Sequence, residues 1–266
     1  MPLRLGIVDY LNSKPLAWSF LDGRTVEGWQ ALFLPPAGVA AELAAGGLDV
    51  GLVPSIELAR IPGLEIVSDA CVASEREVRS VLLVSRRPLA RIGSIALDEN
   101  SRTSAALVRI LCAERWGIEP GFHEARPAVE EMLEGSDAAL VIGDPALHVD
   151  PRRYLTFDLA REWYDLTGLP FVFAVWAARP GTSTAELVRV LDESLGRGLR
   201  RLEALAAAAA AELGLPLEAM RRYLTRNLHY RLGPEERRGL AEFLRRARAH
   251  GLAPHSRGAE AGESPR

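Results

Sequence analysis

Val78-Arg79-Ser80-Val81-Leu82-Leu83-Val84-Ser85 runs into the break Arg86-Arg87-Pro88, and Phe171-Val172-Phe173-Ala174-Val175-Trp176-Ala177-Ala178 runs into Arg179-Pro180-Gly181. Two strand-like apolar runs, each followed by the same kind of break, read as a pair of crossovers with a second lobe inserted into the first. On that reading residues 1–87 and 178–253 form lobe 1, residues 88–177 form lobe 2, and ligand binds in the cleft between them. A single sheet with two ordinary loops is the alternative that the spacing leaves open.

Outward from these runs, short β-branched or Leu-rich segments alternate with helical patterns, the signature of an α/β protein with largely parallel strands. Further strands are expected at Leu3–Val8, Val50–Val53, Leu64–Val67, Ser94–Leu97 and Ala138–Ile142. A helix is expected to start at Ser13 with Pro15 in its first turn, others over Pro36–Ala45 and Ser101–Trp116, the last ending at Gly117. Beyond Arg179-Pro180-Gly181 the pattern is wholly helical, over Thr184–Leu213, Leu217–Leu228 and Pro234–Leu252, and the Gly-, Pro- and Ser-rich end from Pro254 to Arg266 reads as a disordered tail.

Composition narrows the function. The 266 residues, 48% apolar and 25% charged, can bury a real core as one large or two small domains. A formal net charge of -3 with scattered arginines offers no basic face for nucleic acid. Cys71 and Cys112 lie far apart in apolar runs and read as buried free thiols, and the five histidines follow no metal-ligand spacing. With no membrane-length apolar run and no leader-like start, the sequence reads as a soluble cytoplasmic protein. G-x-G-x-x-G, G-x-S-x-G, Walker, H-E-x-x-H and C-x-x-C patterns are all missing, so hydride transfer, nucleotide hydrolysis and zinc chemistry have no support.

In open α/β folds ligands bind beyond the carboxyl ends of strands, so the loops that follow strands are the places to search. The first, Asp9-Tyr10-Leu11-Asn12-Ser13-Lys14-Pro15, gathers a phenol, an amide, a hydroxyl and the one ammonium of a chain with 32 basic residues. It reads either as a capped helix start or as an anion site. Ser55 follows the next strand, again a cap or a ligand group. Ser80 lies inside an apolar run, where a buried hydroxyl needs a backbone or ligand partner. Ser101-Arg102-Thr103-Ser104 brings three hydroxyls and a guanidinium to a helix start, more than capping requires. Gly143-Asp144-Pro145 and Thr167-Gly168-Leu169-Pro170-Phe171 complete the set.

These segments, Gly6 to Leu16, Val53-Pro54-Ser55, Arg79-Ser80-Val81, Ser101 to Ser104, Ile142 to Ala146 and Gly168 to Ala174, resemble the chorismate dehydratases of the futalosine route to menaquinone. The likeness runs to about Trp176, then weakens, and Tyr-Leu-Asn-Ser-Lys-Pro is its most specific piece. It implies a two-lobed fold like the type II periplasmic binding proteins, and loss of water from chorismate to give 3-[(1-carboxyvinyl)oxy]benzoate without metal or organic cofactor. It assigns catalytic roles to Asn12 and Ser80; with the strand-end loops read above, substrate contacts are expected at Tyr10, Lys14, Ser55, Ser101, Arg102, Thr103, Ser104, Gly143, Asp144, Pro170 and Phe171. The base it implies is the substrate's own enolpyruvyl carboxylate. The sister enzyme of the same route, which forms a naphthoate, is the nearest alternative, but its catalytic His belongs where Gly143 stands here. A non-catalytic binding protein for a small carboxylate is the other. The helical C-terminal third is free either to pack on its own lobe or to form a homodimer contact.

Overall fold

The computed structural model describes residues 2–182 and 184–254, so His255 and the rest of the expected tail lie outside the described residues. Six strands, β1 (Leu3–Val8), β2 (Trp29–Leu34), β3 (Val50–Pro54), β4 (Glu65–Ser74), β10 (Phe171–Ala178) and β11 (His229–Arg231), form one sheet in the order β11-β4-β10-β3-β1-β2. Five more, β5 (Val81–Ser85), β6 (Ser94–Asp98), β7 (Gly121–Ala125), β8 (Ala138–Ile142) and β9 (Leu155–Asp158), form a second in the order β7-β6-β8-β5-β9.

The chain crosses to the second sheet between Ser74 and Val81 and returns between Asp158 and Phe171. Both crossovers lie ahead of the apolar runs that the sequence sets before them. Val81–Ser85 opens the second sheet, pairing antiparallel with β8 and β9, rather than closing the first. Phe171–Ala178 lies between β3 and β4 in the first sheet and is not part of the insert. The breaks at 86–88 and 179–181 are ordinary loops after these strands. Ser80 accordingly stands in the crossover, one residue before the strand, not within it.

Both sheets are mixed rather than largely parallel. β1 runs parallel to β2 and β3, and β6 to β7 and β8, whereas β10 and β5 are antiparallel to their neighbours. A strand that arrives from the other sheet needs no helical crossover within its own, which frees it from the parallel direction. The central strands β3, β5 and β8 are buried along their whole length. In β5, Val81 and Leu83 face the main core while Leu82 and Val84 face a satellite cluster with Met132, Leu133 and Tyr154, the two-residue period of a strand covered on both sides. The four strands that sequence patterning misses, β2, β7, β9 and β11, are the four sheet edges. Apart from buried Tyr230 in the three-residue β11, their residues are half-buried or exposed in mixed order, so they carry little apolar signal.

Helices α1 (Pro36–Ala45), α2 (Glu57–Arg60), α3 (Thr103–Leu111), α4 (Val129–Gly135), α5 (Asp144–Leu147), α6 (Leu159–Thr167), α7 (Ala185–Leu199), α8 (Leu202–Leu213), α9 (Leu217–Arg222) and α10 (Pro234–Ala249) complete the fold. The helix expected over Ser101–Trp116 is α3 prolonged by a π turn, Cys112–Trp116, and closed by left-handed Gly117. The long pattern from Thr184 breaks at Arg200-Arg201 into α7 and α8. No regular helix starts at Ser13; two 3-10 turns, Leu11–Ser13 and Trp18–Phe20, take its place. The Ser13 hydroxyl bonds back to the carbonyls of Val8 and Tyr10 instead of capping forward.

Helix α7 holds this irregular segment. Ser194 Oγ donates to the Leu16 carbonyl at 2.8 Å and accepts from the Ser19 amide at 3.0 Å. Gly198 is required there, because a Cβ would overlap the Pro15 carbonyl oxygen. Cys71 and Cys112 are free and buried, and burial pushes both thiols up, Cys112 to about 12, so neither is a nucleophile at neutral pH. Among the described residues no helix is long and apolar enough to cross a membrane.

Candidate active site

The cleft between the two sheets spans about 580 Å³ of space, open solvent included. One wall is made by strand ends and turns of the first sheet, with Tyr10, Asn12, Leu52, Pro54, Val72 and Phe173; the other by the second, with Ser80, Val81, Ile142, Gly143 and the segment Asn100–Ser104. Asn12 is carried on the 3-10 turn that follows β1, fixed from behind by the Ser13 bonds to Val8 and Tyr10. Its amide stays half-buried at the cleft surface.

Ser80 is positioned by a carboxylate behind the crossover. Asp158 accepts from the Val78 amide at 3.2 Å and the Arg79 amide at 2.7 Å, and also caps α6 by accepting from Ala160 at 3.1 Å and Arg161 at 3.3 Å. Burial pushes the Asp158 carboxyl up and these four amides oppose it. Arg79 is held at φ 66°, a left-handed conformation that a side chain with a Cβ rarely adopts. The strain falls on the residue next to Ser80, whose own hydroxyl is buried with no hydrogen-bond partner among the described residues.

The start of α3 forms the polar end of the cleft. Ala106 is the residue whose amide reaches back to the Arg102 carbonyl, so the amides of Thr103, Ser104 and Ala105 head the helix with no carbonyl of their own turn to bond. Arg102, which lines the same end, lies 3.5 Å from buried Glu57 across the cleft. Ser101 Oγ and Asp98 Oδ2 are also buried, without partners among the described residues.

Three ties join the walls. Tyr10 packs face-on against Gly143, and the Leu11 amide donates to both carboxylate oxygens of Asp144, at 3.1 and 3.2 Å. Thr103 Oγ1 accepts from the Ile56 amide across the cleft at 3.2 Å, beside Ser55, whose Oγ donates within the first sheet's half to the Val172 carbonyl at 2.7 Å. Arg102 and Glu57 form the third. Gly143 has φ 68° and ψ -149°, a region open essentially to glycine alone, and a Cβ there would lie 2.8 Å from the Tyr10 ring.

Of the residues singled out in the sequence, Tyr10, Asn12, Ser80, Ser101, Arg102, Thr103, Ser104 and Gly143 meet in this cleft, while Lys14, Ser55, Asp144, Pro170 and Phe171 are not in its lining. Lys14 turns away and pairs with Glu212 at 3.2 Å. The hydroxyl of Ser55 is spent on Val172, and the carboxylate of Asp144 on the Leu11 amide. Phe171 is a core ring packed edge-on against Trp163, Phe173 and Phe243, with centroids 4.7 to 5.4 Å apart, and the Pro170 carbonyl accepts from Trp163 Nε1 at 3.2 Å. Asn100 and the apolar wall formed by Val8, Leu52, Val72, Val78, Val81, Ile142 and Phe173 escaped sequence reasoning, although most stand at the ends of strands that it located.

The lining therefore combines hydroxyls, two amide side chains, helix N–H groups and one guanidinium with apolar walls. No imidazole, carboxylate or amine side chain is among the lining residues. His148 is exposed at the end of α5 and is not among the lining residues. Burial, together with the carboxylates of Asp98, Asp144 and Asp9, pushes the Tyr10 phenol up, so it enters the cleft as a neutral donor. Among the described residues no three His, Cys, Asp or Glu side chains are grouped so as to hold a metal ion.

The profile of a family described as menaquinone biosynthesis matches residues 3–249. A chorismate dehydratase of Thermus thermophilus is 34% identical over 261 residues, covering 91% of this chain and 94% of that protein. One from Campylobacter jejuni is 25% identical, over 93% of this chain and 99% of that protein. Among solved structures, a protein from Archaeoglobus fulgidus superposes with a TM-score of 0.77 at 16% identity, covering 94% and 98% of the two chains. The periplasmic aliphatic sulphonate binding protein of Escherichia coli gives 0.63 at 17%, covering 96% and 94%. The last two establish the fold, that of the periplasmic binding proteins.

Proposed function

The chain belongs to the menaquinone-biosynthesis family, in which its curated relatives are chorismate dehydratases, and from that premise we propose that it removes water from chorismate. The product is 3-[(1-carboxyvinyl)oxy]benzoate, made in the cytoplasm as the first step of the futalosine route, and the enzyme is a carbon-oxygen lyase that uses no cofactor. The observation that carries the reading is the chemistry of the lining: anion donors at one end, apolar walls beside them and no side-chain base.

That set suits a reaction whose substrate brings its own driving force. Removing the ring C3 proton and the C4 hydroxyl makes the ring aromatic, and the conjugated ring carboxylate spreads the charge left at C3. The enolpyruvyl carboxylate of the same molecule takes the C3 proton, the C4–O bond breaks, and hydroxide leaves with a proton as water. The protein then has to hold a dianion in the reactive conformer and stabilise developing charge. Arg102 and the head of α3 bind one carboxylate; Ser80 and Asn12 bond the departing hydroxyl and the carboxylate that takes the proton.

The naphthoate-forming reaction of the sister enzyme is disfavoured by Gly143, since a His at φ 68° would have to displace the Tyr10 ring 2.8 Å from its Cβ. The deciding experiment mixes the purified protein with chorismate in the presence of a metal chelator and follows the aromatic product by ultraviolet absorbance and NMR. Conversion is expected; chorismate that binds and stays unchanged would leave a binding protein in place of an enzyme.

A further inference from the structure

Tyr223 opens the π turn Tyr223–Asn227 that follows α9, and only 1% of the residue is exposed. Its hydroxyl is buried without a hydrogen-bond partner among the described residues, as is Ser80 Oγ. Buried polar groups nearly always find a partner, so two orphaned hydroxyls together call for a reason. The phenol is close enough to interact with both the Ser80 hydroxyl and the Asn12 side chain, yet neither pair closes a bond of good geometry. The turn is also tied to the crossover. Asn227 Nδ2 donates to the Glu77 carbonyl at 2.9 Å, three residues ahead of Ser80. An inserted π turn is a recurrent device at functional sites, because it re-aims a side chain that a regular helix would direct elsewhere.

We infer that Tyr223 is a positioning residue that orients Ser80 and Asn12 toward the bound substrate; the inference rests on the dehydratase reading above. Each donor is used once. When substrate binds and these two pairs close, Asn12 Nδ2 donates to Tyr223 Oη, Tyr223 donates to Ser80 Oγ, and Ser80 is left with its proton pointing at the substrate oxygen. Burial pushes the phenol up, so it stays protonated across the neutral range and keeps a proton to donate. Tyr223 itself does not line the cleft and touches no substrate.

Tyr223→Phe removes one oxygen and no packing. In the chorismate assay the variant is expected to lose roughly 10- to 100-fold in kcat with little change in KM, and to melt no lower than wild type, since the lost hydroxyl is unpartnered. In a Ser80→Ala background the same substitution should cost far less, because the group through which it acts is gone. Wild-type kcat in Tyr223→Phe, an equal loss in both backgrounds, or a loss that tracks a lowered melting temperature would overturn the inference. An inactive wild type would instead remove the dehydratase reading and this inference with it, so the two failures are distinguishable.

Discussion

Two pairs of hydroxyls bridge the molecule, and they are built in opposite ways. Ser55 and Thr103 sit 3.5 Å apart at one side of the cleft, with Ser55 bonded to the Val172 carbonyl and Thr103 to the Ile56 amide. Ser80 and Tyr223 have neither bond. The first pair spends its hydrogen-bonding capacity within the protein and holds the walls together. The second keeps its capacity free at a cost in stability, which only a bound ligand recovers. The contrast teaches that burial alone does not distinguish a structural serine from a functional one; what each oxygen is already bonded to does.

The sharpest way to break the contrast is Ser80→Ala. Chorismate turnover should fall roughly 100-fold or more, the scale of losing one preorganised donor to developing charge, while the melting temperature holds or rises. Unchanged turnover would take Ser80 out of the site. Ser55→Ala should behave the other way round. Leaving the buried Val172 carbonyl unpaired costs about 1 to 3 kcal/mol, read as a lower urea midpoint, with kcat near wild type. A stable Ser55→Ala with poor turnover would merge the two pairs into one site.

The smallest effect concerns buried Asp98, at the end of β6, whose carboxyl is pushed up chiefly by burial from an ordinary value of 3.8. The folded protein therefore holds this proton more tightly than the unfolded chain. The stabilising contribution is complete below pH 3.8 and is lost as pH rises through the folded value. Asp98→Asn keeps an oxygen for the Asn100 amide and removes the titration. Its urea midpoint should drop less than that of wild type between about pH 4 and pH 7, and parallel pH profiles would exclude Asp98 as the source.

The pattern of what was legible follows the same division. Val81–Ser85 and Phe171–Ala178 are strands by composition, but which sheet each joins depends on partners far along the chain, so both crossovers fall ahead of the breaks at 86–88 and 179–181. Ser101 to Ser104 could be placed in the cleft because a strand end followed by a helix start has a local signature. Pro170 and Phe171 could not be kept out of it, because an aromatic beside a proline reads alike whether its ring meets Trp163 and Phe243 or a ligand. Lys14 drew notice as the one ammonium, and its partner, Glu212, lies in a distant alanine-rich helix. Tyr223 carried no local signal at all: nothing in Met220 to Asn227 announces a π turn, and its relation to Ser80 is wholly three-dimensional.

The position of β10 between β3 and β4 has a consequence for how the chain is made. Synthesis delivers every strand of the second sheet, through Asp158, before Phe171 exists. Until then β4 has no route to β3, and the first sheet is two unconnected pieces. The inserted sheet thus has all its strands before the half that begins the polypeptide, which is finished by a late-arriving keystone.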